Sequence, residues 1–300
     1  MRLALALAVV LAAACGSTLD GPCSLTAPCD NGQICDFTAE GGPVCISGDG
    51  DLDGDGLPNG SDFCEHAAGG AFDEDKDGVG DECDHCPIAP PRATPDADGD
   101  MVDSPCDPEP TEAGEEIVFF DGFGNGLGDW KPTTPAAWMN GGAGEVVVAL
   151  AGVPTQDYLA RTIAAKRTLA IEAGYRVERV ENSATRHLVG VYATDPRPAG
   201  VAKMQCAVSR ADATLQDLVV VETNTGAMSQ MTTEPALLSS KVYRAGAYAS
   251  GTSAGCSVIA DNAPVGAVQT SITPESMAQI ALTAQAITVR FQYVLVVGRD

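Results

Sequence analysis

The sequence predicts a mainly β protein: a two-sheet sandwich over residues 115–300, preceded by an irregular acidic segment at 47–112 and a small disulfide module at 23–46. Three observations carry this. Short apolar runs punctuated by turns fill 115–300, and several alternate, as at Tyr175, Val177 and Val180 with Arg176, Glu178 and Arg179 between them; half-buried antiparallel strands have that pattern. No long stretch has helical periodicity, so two sheets closing on one core follow. In the acidic segment, Pro58, Gly60, Pro87, Pro90, Pro91 and Pro95 leave no room for helices.

The amino terminus predicts export. Arg2 precedes an apolar run at 3–14 that is too short to span a bilayer, and small residues follow, so 1–14 read as a signal peptide. The residues Leu11, Ala12, Ala13, Ala14 and Cys15 resemble a bacterial lipobox, with the leucine one place further from the cysteine than usual. That resemblance implies cleavage before Cys15, its diacylation, a spacer at 15–22 and, with Gly16 next, anchoring at the outer membrane or cell surface. Plain secretion stays open, because Ala12 to Ala14 also read as an AxA cleavage site. Parity favours the anchor: of 11 cysteines, removing Cys15 leaves an even number to pair.

Cys23, Cys29, Cys35 and Cys45 lie among glycines and prolines in a piece too short to bury a stabilising core, which reads as a two-disulfide module with three possible connectivities. By spacing alone it resembles small epidermal-growth-factor-like modules. It is expected to act as a structural spacer, with a binding role as the alternative.

The acidic segment then repeats aspartate at offsets 0, 2, 4 and 11 in three frames: Asp51/Asp53/Asp55/Asp62, Asp73/Asp75/Asp77/Asp84 and Asp96/Asp98/Asp100/Asp107. Close carboxylate pairs repel by about 1 kcal/mol even in water, so a compact arrangement needs a cation. Oxygen-only ligands at this spacing point to calcium. A calcium loop takes side chains at its first, third, fifth, ninth and twelfth places, a carbonyl at the seventh and glycine at the sixth. Frame two is complete, with Gly78, the Val79 carbonyl and Asp81; frame one has Gly56, Leu57 and Asn59 at those places. Frame three carries Met101 for glycine, Val102 at the seventh place and Ser104 at the ninth, which predicts the weakest site.

A solvated acidic linker is the alternative. Against it, residues 46–116 hold 22 Asp and Glu with only Lys76 and Arg92, so 20 of the 24 net negative charges are local, whereas 117–300 has 15 acids and 14 bases. A linker has no reason to keep aspartates in phase at intervals of 22 and 23 residues.

The run DEDKDGVGDECDHCP at 73–87 resembles a thrombospondin type 3 repeat, with DLDGDGLPNGSDFC and DADGDMVDSPCD as divergent copies. The resemblance implies calcium ions wrapped by chain with little regular structure and adjacent repeats tied by disulfides. On that alignment the expected bridges are Cys64 to Cys83 and Cys86 to Cys106. A zinc reading of Cys83, His85 and Cys86 lacks a second ligand pair.

In the last 186 residues the expected strands are 117–120, 145–150, 169–180, 188–193, 203–209, 215–222, 242–250, 256–260, 279–282 and 288–297. FFDGFGNGLGDW at 119–130 and ITVRFQYVLVV at 287–297 are similar to the first and last strands of concanavalin-A-like jelly-roll domains, which implies that they lie side by side, with 242–250 and 256–260 just before the closing strand. That family includes lectins, laminin-G-like adhesion modules and glucanases, so fold alone fixes no activity. Cys206 and Cys256 are expected to pair.

Catalysis is not expected. GTSAG at 251–255 matches a nucleophile elbow only on paper, since all three histidines, His66, His85 and His187, precede Ser253 and a strand follows it. No ExDxxE run or paired carboxylates occur. Trp130 and Trp138 suit core packing better than sugar stacking. The GxGxG at Gly122, Gly124 and Gly126 opens no helix, and no basic surface for nucleic acid is evident. The expectation is a calcium-binding surface lipoprotein, engaged in adhesion or in recognition of glycans or matrix proteins through its sandwich. A purely structural surface protein and a carbohydrate-active enzyme are the alternatives.

Overall fold

A hairpin built on four cysteines comes first among the described residues. The computed structural model describes residues 23–24, 26–37, 39–90, 96–149, 155–181, 186–197, 202–211, 216–237 and 241–300; the expected signal peptide at 1–14 and the expected lipidation at Cys15 lie outside the described residues. The chain divides into two units, Met1–Ala71 and Phe72–Asp300.

In the first unit β1 (Gln33–Asp36) and β2 (Val44–Ser47) pair antiparallel, with Cys35 opposite Cys45. These two do not bond each other. Cys35 reaches back to Cys23 and Cys45 to Cys29, which settles the connectivity the sequence left open. Frame one folds onto this hairpin: the Gly60 amide donates to Gly48 O at 2.8 Å, and His66 meets the buried Asp36 carboxylate at 2.7 Å.

The second unit carries β3 (Glu116–Asp121), β4 (Lys131–Pro132), β5 (Trp138–Gly142), β6 (Glu145–Ala149), β7 (Asp157–Lys166), β8 (Thr168–Val180), β9 (Arg186–Thr194), β10 (Lys203–Ala211), β11 (Leu218–Thr223), β12 (Ala227–Met231), β13 (Tyr243–Ser250), β14 (Ser253–Ala260), β15 (Ala263–Ser271), β16 (Met277–Gln285) and β17 (Ile287–Arg299). One sheet runs β12-β11-β10-β9-β16-β7-β4, the other β15-β14-β13-β8-β17-β6-β5 with β3 also on β17. Every pairing is antiparallel, and the two sheets form a jelly-roll sandwich. First and last strands do lie side by side. The β13–β14 hairpin, however, does not directly precede the closing strand: β15 and β16 intervene, because the chain crosses to the opposite sheet before it closes.

Alternation builds the core. Tyr243, Ala245, Ala247 and Ala249 point inward from β13 while the residues between stay half exposed. Cys206 of β10 and Cys256 of β14 are bonded, one from each sheet, so the disulfide crosses the core. Trp130 and Trp138 are buried, each donating its indole N–H at 2.8 Å, to Asp121 and Asp157 respectively. In the GTSAG segment Gly251 and Thr252 form the β13–β14 turn, with Ser250 opposite Ser253 and Gly251 at φ +56°, and Ser253 to Gly255 begin β14.

A second, smaller core lies on the other face of β17. Cys86, Val102 and Cys106 pack there against Leu295 and Val297, with Ile88, Ala89, Ile117 and Phe120 around them. Frames two and three therefore belong with the sandwich, and the division between units falls inside the 47–112 segment. Arg299 reinforces the attachment, meeting Glu109 at 2.6 Å and buried Glu115 at 3.2 Å, while the Tyr248 hydroxyl donates to Glu109.

Candidate calcium loops and the adjoining cleft

The three aspartate frames share the hydrogen bonds of their first, fifth and twelfth places. The first aspartate accepts the amides of the fourth and sixth residues: Gly54 and Gly56 on Asp51, Lys76 and Gly78 on Asp73, Gly99 and Met101 on Asp96. The fifth accepts the amide of the seventh, as Leu57 on Asp55, Val79 on Asp77 and Val102 on Asp100. The twelfth accepts an amide two residues on, from Cys64, Cys86 and Glu109. Ninth-place Asn59 and Asp81 each take the second residue's amide at 2.9 Å. The chain thus curls round its own carboxylates, and the first, third and fifth carboxylates of each frame bring oxygens within 4.8 Å of one another.

Amides satisfy only part of these carboxylates. Asp53 Oδ2, Asp62 Oδ2, Asp75 Oδ2, both oxygens of Asp98 and Asp107 Oδ2 are buried without a hydrogen-bond partner. All of them are at the third or twelfth place of a frame. A buried polar group without a partner costs about 1–3 kcal/mol, more when charged. Burial, then the charges of Asp77 and Asp84, pushes Asp75 up to about 7, and burial likewise raises Asp62, Asp98 and Asp107. Asp55 and Asp96, held instead by amides, lie below the usual carboxylate range. Clustered, partnerless oxygens of one chemical type fit a hard divalent cation, and the donor set fits calcium.

Turn geometry refines the expected ranking. The sixth place has positive φ in every frame, 98° at Gly56, 91° at Gly78 and 73° at Met101. So does the fourth: 81° at Gly54, 66° at Lys76 and 89° at Gly99. Frame three is strained at Met101 as expected, but frame two carries the same kind of strain at Lys76. Only frame one has glycine at both places. The sequence reading missed the fourth place because the calcium-loop pattern it used specifies only the sixth. Cys86 is bonded to Cys106, and Cys64 and Cys83 are each in disulfides, which leaves the zinc reading no thiolates.

Frame two also lines a cleft of about 870 Å³. Phe72, Glu74 and Asp81 form one side; Phe119, Phe120, the glycines of 122–128 and Arg161 form the other. The Phe72 ring lies on Gly124 so closely that no Cβ fits there, and Glu74 sits against Gly122. Burial raises Glu74 and Asp81 to about 7. The Arg161 guanidinium lies over the Phe119 ring, 4.4 Å from its centroid.

No protein-family model matches the sequence, and no curated protein does. Among solved structures the chain is similar to a Bacillus licheniformis β-glucanase, with TM-score 0.45 and 10% identity over 62% of this chain and 99% of that one. It is similar also to a Lotus tetragonolobus seed lectin, with TM-score 0.45 and 8% identity over 61% and 99%. An endo-1,3-β-glucanase from Streptomyces sioyaensis gives TM-score 0.44 and 10% identity over 62% and 97%.

Proposed function

We propose that this is a calcium-binding surface protein whose acidic frames, of the thrombospondin type 3 kind, take their shape from the ion, and whose sandwich recognises a glycan. One observation carries the calcium reading: the partnerless buried oxygens recur in phase, at the third place of all three frames and the twelfth place of frames one and three. Asp51, Asp53, Asp55, Asn59, Asp62 and the Leu57 carbonyl would hold an ion in frame one. Asp73, Asp75, Asp77, Asp81, Asp84 and the Val79 carbonyl would do so in frame two, and Asp96, Asp98, Asp100, Asp107 and the Val102 carbonyl in frame three. Calcium supplies the positive charge that lets these carboxylates stay ionised at close range. The protein's own contribution is the curl of amides that fixes each carboxylate's orientation.

The cleft beside frame two supports the glycan reading. Phenyl rings, carboxylates and bare glycine backbone together suit a sugar, which offers apolar C–H faces and hydroxyls. Because Asp81 belongs to both the frame and the cleft, recognition depends on calcium. Export and a lipid anchor at Cys15 complete the proposal and rest on the sequence of residues 1–15; fatty-acid labelling that is lost in Cys15→Ser tests them.

Isothermal titration of calcium into the full chain tests the main reading. At least one site is lost in Asp73→Ala/Asp75→Ala while the others remain. Unchanged stoichiometry in that variant overturns it. A glycan array read with calcium and with chelator tests the second reading, which fails if no glycan binds in calcium.

A further inference from the structure

A buried carboxylate stands just past the end of frame three. Glu115 is 2% exposed, and neither of its oxygens has a hydrogen-bond partner. Arg299 Nη1 comes within 3.2 Å of Oε1, an ion pair by distance only; that nitrogen donates to the Glu112 carbonyl at 3.0 Å. The same guanidinium meets Glu109 at 2.6 Å and Glu112 at 3.4 Å, so one positive charge faces three negative ones. Like Asp98 and Asp107, Glu115 is a charged group under the surface that the protein's own donors do not satisfy.

Frame one shows what this place borders. There fifth-place Asp55 takes the Gly69 amide, fourteen residues on, at 2.9 Å; in frame three Asp100 takes Gly114, again fourteen residues on, at 3.0 Å, and Glu115 at 2.8 Å. The residue next to these glycines is Gly70 in frame one and Glu115 in frame three. A Cβ on Gly70 would come to 2.2 Å from Oδ1 of Asp62, the twelfth-place carboxylate. In frame three the charge of the twelfth-place Asp107 likewise acts on Glu115. Where frame one has bare backbone beside its twelfth aspartate, frame three has a carboxylate without a donor.

We propose that Glu115 is a calcium ligand of frame three, supplied from beyond the frame itself. This assignment rests on the calcium reading above and extends it. Calcium takes about 6–8 oxygens, and frame three has Ser104 at the ninth place, where frame two has Asp81. Glu115 restores the missing carboxylate from a segment that two amides already tie to Asp100. Because Glu115 directly precedes β3, the ion also fastens frame three to the first strand of the sandwich.

The full chain carrying Asp51→Ala/Asp53→Ala and Asp73→Ala/Asp75→Ala isolates frame three for isothermal titration with calcium. Glu115→Gln in that background weakens binding about tenfold. With europium(III) as probe, luminescence lifetimes in H2O and D2O count the waters on the ion, and Glu115→Gln adds about one; loss of charge alone adds none. In the otherwise unaltered chain the same substitution raises the total count by the same amount, so the test does not depend on the background. Glu112→Gln takes an equal charge from Arg299 at a side chain that is 66% exposed, and leaves affinity within about twofold and the water count unchanged. Glu115→Asp, with the charge kept and the reach shortened, binds calcium between the two. If frame three takes no calcium in that background, the calcium reading of that frame fails and the proposal with it. Calcium bound as tightly by Glu115→Gln as by its parent, an unchanged water count, or an equal effect from Glu112→Gln overturns the proposal and leaves the calcium reading standing.

Discussion

Aspartate goes under the surface in two regions of this molecule by different means. In the sandwich, Asp157 accepts from the Trp138 indole and from Thr134, and Asp217 takes Arg210 at 2.6 Å together with the amides of Ala236 and Leu237. The protein supplies every partner. In the frames, six carboxylate oxygens are buried with none. On the calcium reading, that difference puts the need for an outside cation in the frames: these two sandwich aspartates are satisfied by protein groups, and the frame carboxylates are not.

Chelation breaks that comparison most visibly. With EDTA, limited proteolysis cuts within 47–112 and the hydrodynamic radius grows, while the sandwich still unfolds cooperatively on heating; an unaltered cleavage pattern in 47–112 ends the argument. Next in size is Asp217→Asn, which strands the buried Arg210 charge and destabilises the sandwich by about 3–5 kcal/mol, equally with and without calcium, as thermal melts in both conditions will read. Asp75→Asn has opposite effects in the two conditions. Calcium affinity at frame two falls in titration, yet under chelator the variant resists protease better than the parent, because a repelling charge of about 1 kcal/mol per close pair has gone. The smallest effect is Met101→Gly, which removes left-handed strain of about 1–2 kcal/mol and tightens frame three by several-fold. Lys76→Gly does the same for frame two.

The in-phase aspartates were legible because metal ligation ties residue type to fixed spacing. The ten expected strands were legible from alternation, and each falls on an observed strand. Five others were not. β7 has partly exposed Arg161, Thr162, Ala164 and Ala165 that obscure its period, and β15 contains Pro264 and Gly266. β12 has no inward face to announce it, and β4 is two residues long. β5 pairs on β6 through a bulge and glycines that read as turn. Nor could the sequence place frames two and three on the sandwich. Val102 is a lone valine in an acidic run, and only the fold brings Leu295 and Val297 to it. The left-handed Lys76 was hidden for a different reason: a backbone demand leaves no trace when the residue that meets it is the wrong type.

From Phe72 to Asp75 the polypeptide is two-faced: odd-numbered residues turn toward the acid cluster, and even-numbered ones lie on Gly122 and Gly124. Substitutions at 72 and 74 can retailor the seam with the sandwich while sparing the ligand set. A single-residue deletion there exchanges the two faces at once, so this stretch should accept changes of side chain far more readily than changes of length.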